Sequence, residues 1–264
     1  PDTPTSIVVP AIRASAAFLI FCAASGAVYL INDRADLEND RAHPIKHRRP
    51  MASGKLRWPI AMSGVVILLA ISIPFAFILE LWLGIIAIAY VVLMVIYSIA
   101  IKHVPILDVM AIGTGFVLRA AAGAMAIGVP ISPWLYLTTS LGALFIGFGK
   151  RRCELNIAGK EGKTQRSVLG SYSHQLLDQL LAITAATTIA AYVLYTFTAE
   201  NLPSNNAMML TIPLVVFGLF RYLFLIHKRN LGQTPEEIFL SDPPIISAML
   251  IWLATAAVVL LYFS

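Results

Sequence analysis

"NDRADLENDRAHPIKHRRPMASGKLRW", residues 32–58, joins two long apolar runs and concentrates charge of both signs. Asp33, Asp36 and Asp40 stand at i, i+3 and i+7, a spacing that puts them on one face of a helix. Seven Lys or Arg lie between Arg34 and Arg57. How the chain flanks this stretch decides its class.

The chain has 264 residues, of which 58% are hydrophobic and only 12% charged. Its mean hydropathy is +0.80. Soluble domains carry about 25% charged residues, and a helix crossing a bilayer needs about 20 apolar ones. Runs of that length occur at 7–31, 58–79, 82–101, 106–128, 134–149, 176–198, 207–227 and 245–263. The sequence therefore predicts an all-α, polytopic transmembrane bundle of eight spans, organised as one integral-membrane domain over 1–264. No segment shows the alternation of a membrane barrel. Cys22 and Cys153 fit no metal or redox spacing and are expected to be unpaired thiols. The run at 7–31 is too long for a cleavable signal and has no basic flank before it.

Of 19 Lys and Arg, 16 fall in four connections: 32–57, Lys102, 150–175 and 228–244. The intervening connections carry none. Strict alternation supports the span count, and the positive-inside rule makes the basic connections cytoplasmic. Both ends of this chain then lie outside, which implies one more span upstream.

Positive-inside charge does not explain the acids. Three carboxylates facing one way repel unless something neutralises them. Mg²⁺ does this well, because it takes oxygen ligands and binds through one or two carboxylates plus substrate phosphates. Asp33, Asp36 and Asp40 are thus the candidate metal-binding and catalytic residues. Arg41, His43, Lys46, Arg48 and Arg49 could grip the phosphate oxygens that the metal leaves free.

The second charged connection, "KRRCELNIAGKEGKTQRSVLGSY" at 150–172, sets only Glu154 and Glu161 against six cations. Lys150, Arg151, Glu154 and Arg166 are its candidate site residues, and its density on the same side argues for a polyanion. Arg119 sits in mid-span within "GFVLRAAAGA", where a charge is costly and needs an anion. Tyr97, Lys102 and Asp108, in "YSIAIKHVPILD", could line the same cavity. Arg13 and Arg221 lie near span ends and are expected to snorkel. Asp178 is expected to favour a helix N-terminus.

These motifs resemble the UbiA superfamily of intramembrane prenyltransferases over essentially the whole chain. "NDRADLEND" matches the family pattern NDxxDxxxD, followed by the basic "HPIKHRRPMASGKL" and by "YSIAIKHVPILD". The resemblance implies nine spans with the motif after the second, so the family's first helix precedes this chain. Aromatic prenyltransferases of the family carry a second aspartate-rich motif in the later loop. Here that loop is basic. It is similar instead to the branch that makes decaprenylphosphoryl-5-phosphoribose, as is "GQTPEEIFLSD" near 232–242.

That branch implies Mg²⁺ as cofactor, phosphoribosyl diphosphate as donor and a polyprenyl phosphate as acceptor. Asn32 would support the metal shell. Lys46, Arg49, Lys150, Arg151 and Arg166 would clamp phosphates, with Arg119 and Lys102 for the acceptor phosphate or the 5-phosphate. The bilayer is an expected partner and nucleic acid is not, and nothing in the sequence argues for an oligomer. The resemblance also places the enzyme in a bacterial inner membrane. The competing readings are an aromatic prenyltransferase, disfavoured by the basic loop, and a transporter, disfavoured by the lack of an internal repeat.

Overall fold

A computed structural model describes residues 5–42, 46–161, 167–199, 202–203, 205–229 and 235–262. All regular structure among them is helical: α1 Thr5–Ala35, α2 Leu37–Ala42, α3 Trp58–Leu79, α4 Leu81–Ile99, α5 Leu107–Ala126, α6 Pro133–Glu161, α7 His174–Thr198, α8 Ile212–Arg229, α9 Pro235–Ser241 and α10 Pro243–Tyr262. Short 3₁₀ turns occupy Lys46–Arg48, Ile101–His103, Ser167–Ser171 and Ala207–Thr211.

Seven helical stretches among the described residues are long and apolar enough to cross a membrane, one fewer than expected. The difference falls on 134–149. These residues do form helix, within α6, but Thr138, Thr139, Ser140 and three glycines dilute the stretch. The other boundaries fall within a few residues of the apolar runs. Large apolar side chains stand bare on the helix surfaces, with Ile78 at 78% and Phe18 at 68% exposure. Water would penalise such a surface heavily, whereas lipid accepts it.

The chain divides into two compact units, Pro1–Ser132 and Pro133–Ser264. In the first, α1 packs along α3, α4 and α5. Phe21, Val28, Leu83, Ala87, Tyr90, Met94 and Ala122 form one buried cluster there. Glu80, in extended conformation (φ −166°), is the only residue between α3 and α4, so these two make a tight antiparallel pair. Entry to α5 is strained. Ile106 has φ +70°, and the Leu107 N–H donates to the Pro105 carbonyl at 2.8 Å, closing a left-handed γ-turn. A β-branched residue pays for that conformation, so the surrounding packing must impose it.

In the second unit α6 packs on α7, and α8 on α10. Tyr222 sits between Phe145 and Phe239, at ring-centroid distances of 5.3 and 5.6 Å. Tyr192 links two further elements, with Thr211 Oγ1 at 2.6 Å and the Trp252 indole N–H donating at 2.7 Å. A Cβ added at Gly149 would lie 2.8 Å from Ile226 Cδ1 and 3.2 Å from the Tyr222 ring, and both side chains are buried. Gly149→Ala is expected to cost about 1–3 kcal/mol through overpacking. Gly142→Ala, on the same helix with open space at its Cβ, should cost nothing. Thermal melts of the two variants in detergent check this; equal Tm values would remove the close α6–α8 contact.

Candidate active site

The aspartate face forms at the end of α1. The Asp36 N–H still donates to the Asn32 carbonyl at 2.9 Å, and the Asp40 N–H to the Asp36 carbonyl at 2.8 Å. Helical spacing thus continues past Ala35 into α2, and the three carboxylates keep the register that their sequence spacing implied.

What neutralises them is cationic side chains. Arg49 Nη1 donates to Asp33 Oδ1 and to Asp40 Oδ2, both at 2.9 Å. Lys102 Nζ donates to Asp36 Oδ1 at 2.6 Å. Asn32 Nδ2 donates to the other oxygen, Asp36 Oδ2, at 3.1 Å. Asp40 and Lys102 are buried, whereas Arg49 is more than a third exposed. Lys102 comes from the 3₁₀ turn just before the γ-turn at Ile106, so the strained corner positions the cation.

Among the described residues no group of three or more His, Cys, Asp or Glu is gathered closely enough to hold a metal ion alone. The carboxylates are shared out instead between Arg49 and Lys102. The donor set nevertheless suits a hard divalent cation, because every donor is oxygen and Mg²⁺ needs only one or two carboxylates when phosphates complete its shell.

The remaining candidates of the first unit are placed as follows. Arg41 is exposed, Lys46 and Tyr97 are half-buried, and Asp108 is buried in the first turn of α5. Arg119 donates from Nη2 to the Tyr90 hydroxyl at 2.8 Å. Its guanidinium lies 5.0 Å from the Tyr90 ring centre and 4.9 Å from that of Phe116. Ser25 Oγ lies 3.0 Å from the same hydroxyl. Tyr90 and Ser25 were missed from sequence. The signal was available for Tyr90, since a mid-span arginine needs a polar partner at similar depth on a neighbouring helix.

In the second unit Arg151 is fully buried and pairs with Glu154 at 2.5 Å. Lys150 is half-buried beside them. Arg152 donates from Nε to Asp178 at 2.9 Å, and His227 Nε2 is 3.1 Å from the same oxygen. Asp178 is therefore an ion-pair partner as well as a residue of the first turns of α7. His43 and Arg166 lie outside the described residues.

Both cysteines are unpaired thiols. Burial pushes the Cys153 thiol up to about 11, against the pull of neighbouring Arg152. At pH 8 it stays protonated and shielded, so a maleimide should leave Cys153 unlabelled until the protein is denatured, as mass spectrometry would read. Labelling of the folded protein would show that α6 opens at this point.

Comparison with known proteins gives consistent matches. The model of the UbiA prenyltransferase family matches residues 5–242. A decaprenyl-phosphate phosphoribosyltransferase of Mycolicibacterium smegmatis is 33% identical over 262 residues, covering 96% of this chain and 82% of the relative. One from Corynebacterium glutamicum is 32% identical, covering 89% and 72%. Among solved structures, a UbiA homologue from Archaeoglobus fulgidus bound to GPP and Mg²⁺ superposes with a TM-score of 0.72 at 19% identity, over 94% of this chain and 87% of that one. The apo structure of a homologue from Aeropyrum pernix superposes with a TM-score of 0.61 at 16% identity, over 98% and 90%.

Proposed function

The chain belongs to the UbiA prenyltransferase family, and from that premise we propose that it transfers 5-phosphoribose from phosphoribosyl diphosphate to a polyprenyl phosphate, decaprenyl phosphate by analogy with its relatives. One observation carries the choice of donor. The stretch 150–172 sets Glu154 and Glu161 against six cations, and Glu154 is already paired with Arg151. A second metal would need free carboxylates there; phosphate oxygens need cations. The names of the M. smegmatis and C. glutamicum relatives support the same choice.

Asp33, Asp36 and Asp40, with Asn32, would hold Mg²⁺. Bound there with the donor, the metal would neutralise the diphosphate as it leaves. Arg49 and Lys102 fix the carboxylates in register and stand where they can take up phosphate oxygens of the same donor. Lys46, Arg41 and Tyr97 of the first unit, and Lys150 and Arg166 of the second, are the further candidates for phosphate contact, Arg151 being already held by Glu154. The bond from ribose C1 to the diphosphate oxygen breaks, and its electron pair departs with diphosphate. A phosphate oxygen of the acceptor forms the new bond to C1 from the opposite face, inverting that carbon. A phosphate monoester is ionised at pH 7, so the chain need supply no general base. Positive-inside charge supports a cytoplasmic position for the carboxylate end, and the bacterial relatives support a plasma membrane.

The test is a donor comparison with purified protein in detergent and Mg²⁺. Label is expected to pass from ribose-labelled phosphoribosyl diphosphate into a polyprenyl-linked organic product, and EDTA should abolish it. A prenyl diphosphate with a hydroxybenzoate acceptor should give nothing. Product in the second reaction alone would overturn the donor assignment while leaving the family intact.

A further inference from the structure

Arg119 is a mid-span charge of the first unit that the proposed chemistry does not yet use. It opens on a cavity of about 560 Å³ whose walls include Ala17, Phe21, Ser25, Gly26 and Gly123. Apart from Arg119 and Ser25 the lining is nearly all apolar. Among the described residues the guanidinium's partners are the Tyr90 hydroxyl and two aromatic faces, and no carboxylate is among them. Its Nε is buried without a hydrogen-bond partner among the described residues. A guanidinium at this depth is expensive unless an anion joins it. The contrast with Lys102, which already holds Asp36, is direct.

Depth identifies the anion. Ser25, in the Arg119–Tyr90–Ser25 chain, lies eight residues before Asp33 on α1, or about 12 Å along the axis. The Lys102–Asp36 pair fixes the start of α5 at the carboxylate end of α1, so the two helices run antiparallel. Side chains lean toward the N-terminus of their own helix. Arg119 therefore leans toward the carboxylates and Asp33 leans toward Arg119, which shortens the gap to the reach of one small molecule.

Three phosphate groups meet in the proposed reaction. The diphosphate goes to the carboxylates. The acceptor phosphate must lie within about 3–3.5 Å of ribose C1 to attack it. It is therefore confined to the same level. The 5-phosphate alone stands at the far end of the sugar. We propose that Arg119, held by Tyr90 and Ser25, binds the 5-phosphate of the donor and so selects a phosphorylated sugar diphosphate over a prenyl diphosphate. This rests on the donor assigned above.

The test takes the full chain as wild type, Arg119→Gln and Arg119→Lys, purified in detergent with Mg²⁺. Inhibition constants are measured for ribose 5-phosphate and for inorganic diphosphate, with KM for both substrates and direct calorimetric binding of diphosphate. Arg119→Gln is expected to raise the ribose 5-phosphate constant and the donor KM by about 10- to 100-fold. Diphosphate binding and the acceptor KM should stay within about twofold of wild type, and Arg119→Lys should recover part of the loss. Equal loss of ribose 5-phosphate and diphosphate binding would make Arg119 merely structural. A rise confined to the acceptor KM would assign it to the acceptor phosphate, and no change would remove it from the site. Each of these overturns the inference alone. A wild type that transfers no phosphoribose would instead remove the donor assignment and this inference with it.

Discussion

Asp36→Asn is expected to lower phosphoribosyl transfer by about 10³-fold, and to lower the Tm as well, because Lys102 loses its carboxylate. The substitution keeps the shape of the side chain and one oxygen, so the hydrogen bond from Asn32 survives. What disappears is the negative charge that a hard cation requires. Asp33→Asn and Asp40→Asn remove charge from the other side of the motif, where Arg49 bridges the two carboxylates. Their losses should be of the same kind, with Asp33 costing more, because Asp40 is buried against Arg49 and further along α2. Turnover with ribose-labelled donor, alongside thermal melts, gives the answer. Asp36→Asn activity within about tenfold of wild type would sink the assignment of this face to the metal.

The second large effect is on stability. Lys102→Met leaves the Asp36 carboxylate with the Asn32 amide and no cation, in a site where it is only 17% exposed. Breaking one side of such a pair costs about 3–5 kcal/mol, because the remaining charge is stranded. Lys102→Met should therefore melt well below wild type and be inactive as well. The double variant Asp36→Asn/Lys102→Met replaces the pair with two neutral groups. It should regain most of the lost stability and none of the activity. That divergence separates the structural from the chemical part of the pair. If Lys102→Met melts like wild type, the 2.6 Å contact is not a buried ion pair in solution.

The sequence carried the spans and the aspartate face well, for reasons that lie in local spacing. The run at 58–79 coincides with α3 because Pro59 starts it and apolar residues fill every face up to Glu80. The i, i+3, i+7 pattern of Asp33, Asp36 and Asp40 needed only helical geometry to become one face. The partners were illegible because they are distant in sequence. Arg49 reaches back 16 residues to Asp33 across the turn at 46–48, and Ser25 and Tyr90 are 65 residues apart. Two arginines expected to snorkel have protein partners at the span ends. Arg13 donates to the Leu79 carbonyl at 2.9 Å. Arg221 forks onto Asp242 at 3.2 and 2.9 Å, while Asp242 also caps the start of α10 through the Ile245 N–H. The 134–149 run forms helix within α6, and the hydroxyls and glycines among its apolar residues make it less hydrophobic than the other seven spans.

The Lys102–Asp36 pair also has a consequence for synthesis. Its residues are 66 positions apart, with α3 and α4 between them. A nascent chain of which only α1 has been made has the acid and lacks the base. Asp36 must wait without its cation while two more helices are threaded into the bilayer. Its place at the very end of α1, rather than a turn further in, lets it wait in water. Only when the 3₁₀ turn carrying Lys102 has been made can the carboxylate leave solvent, so the closing of this pair follows the insertion of α1, α3 and α4 and precedes that of α5.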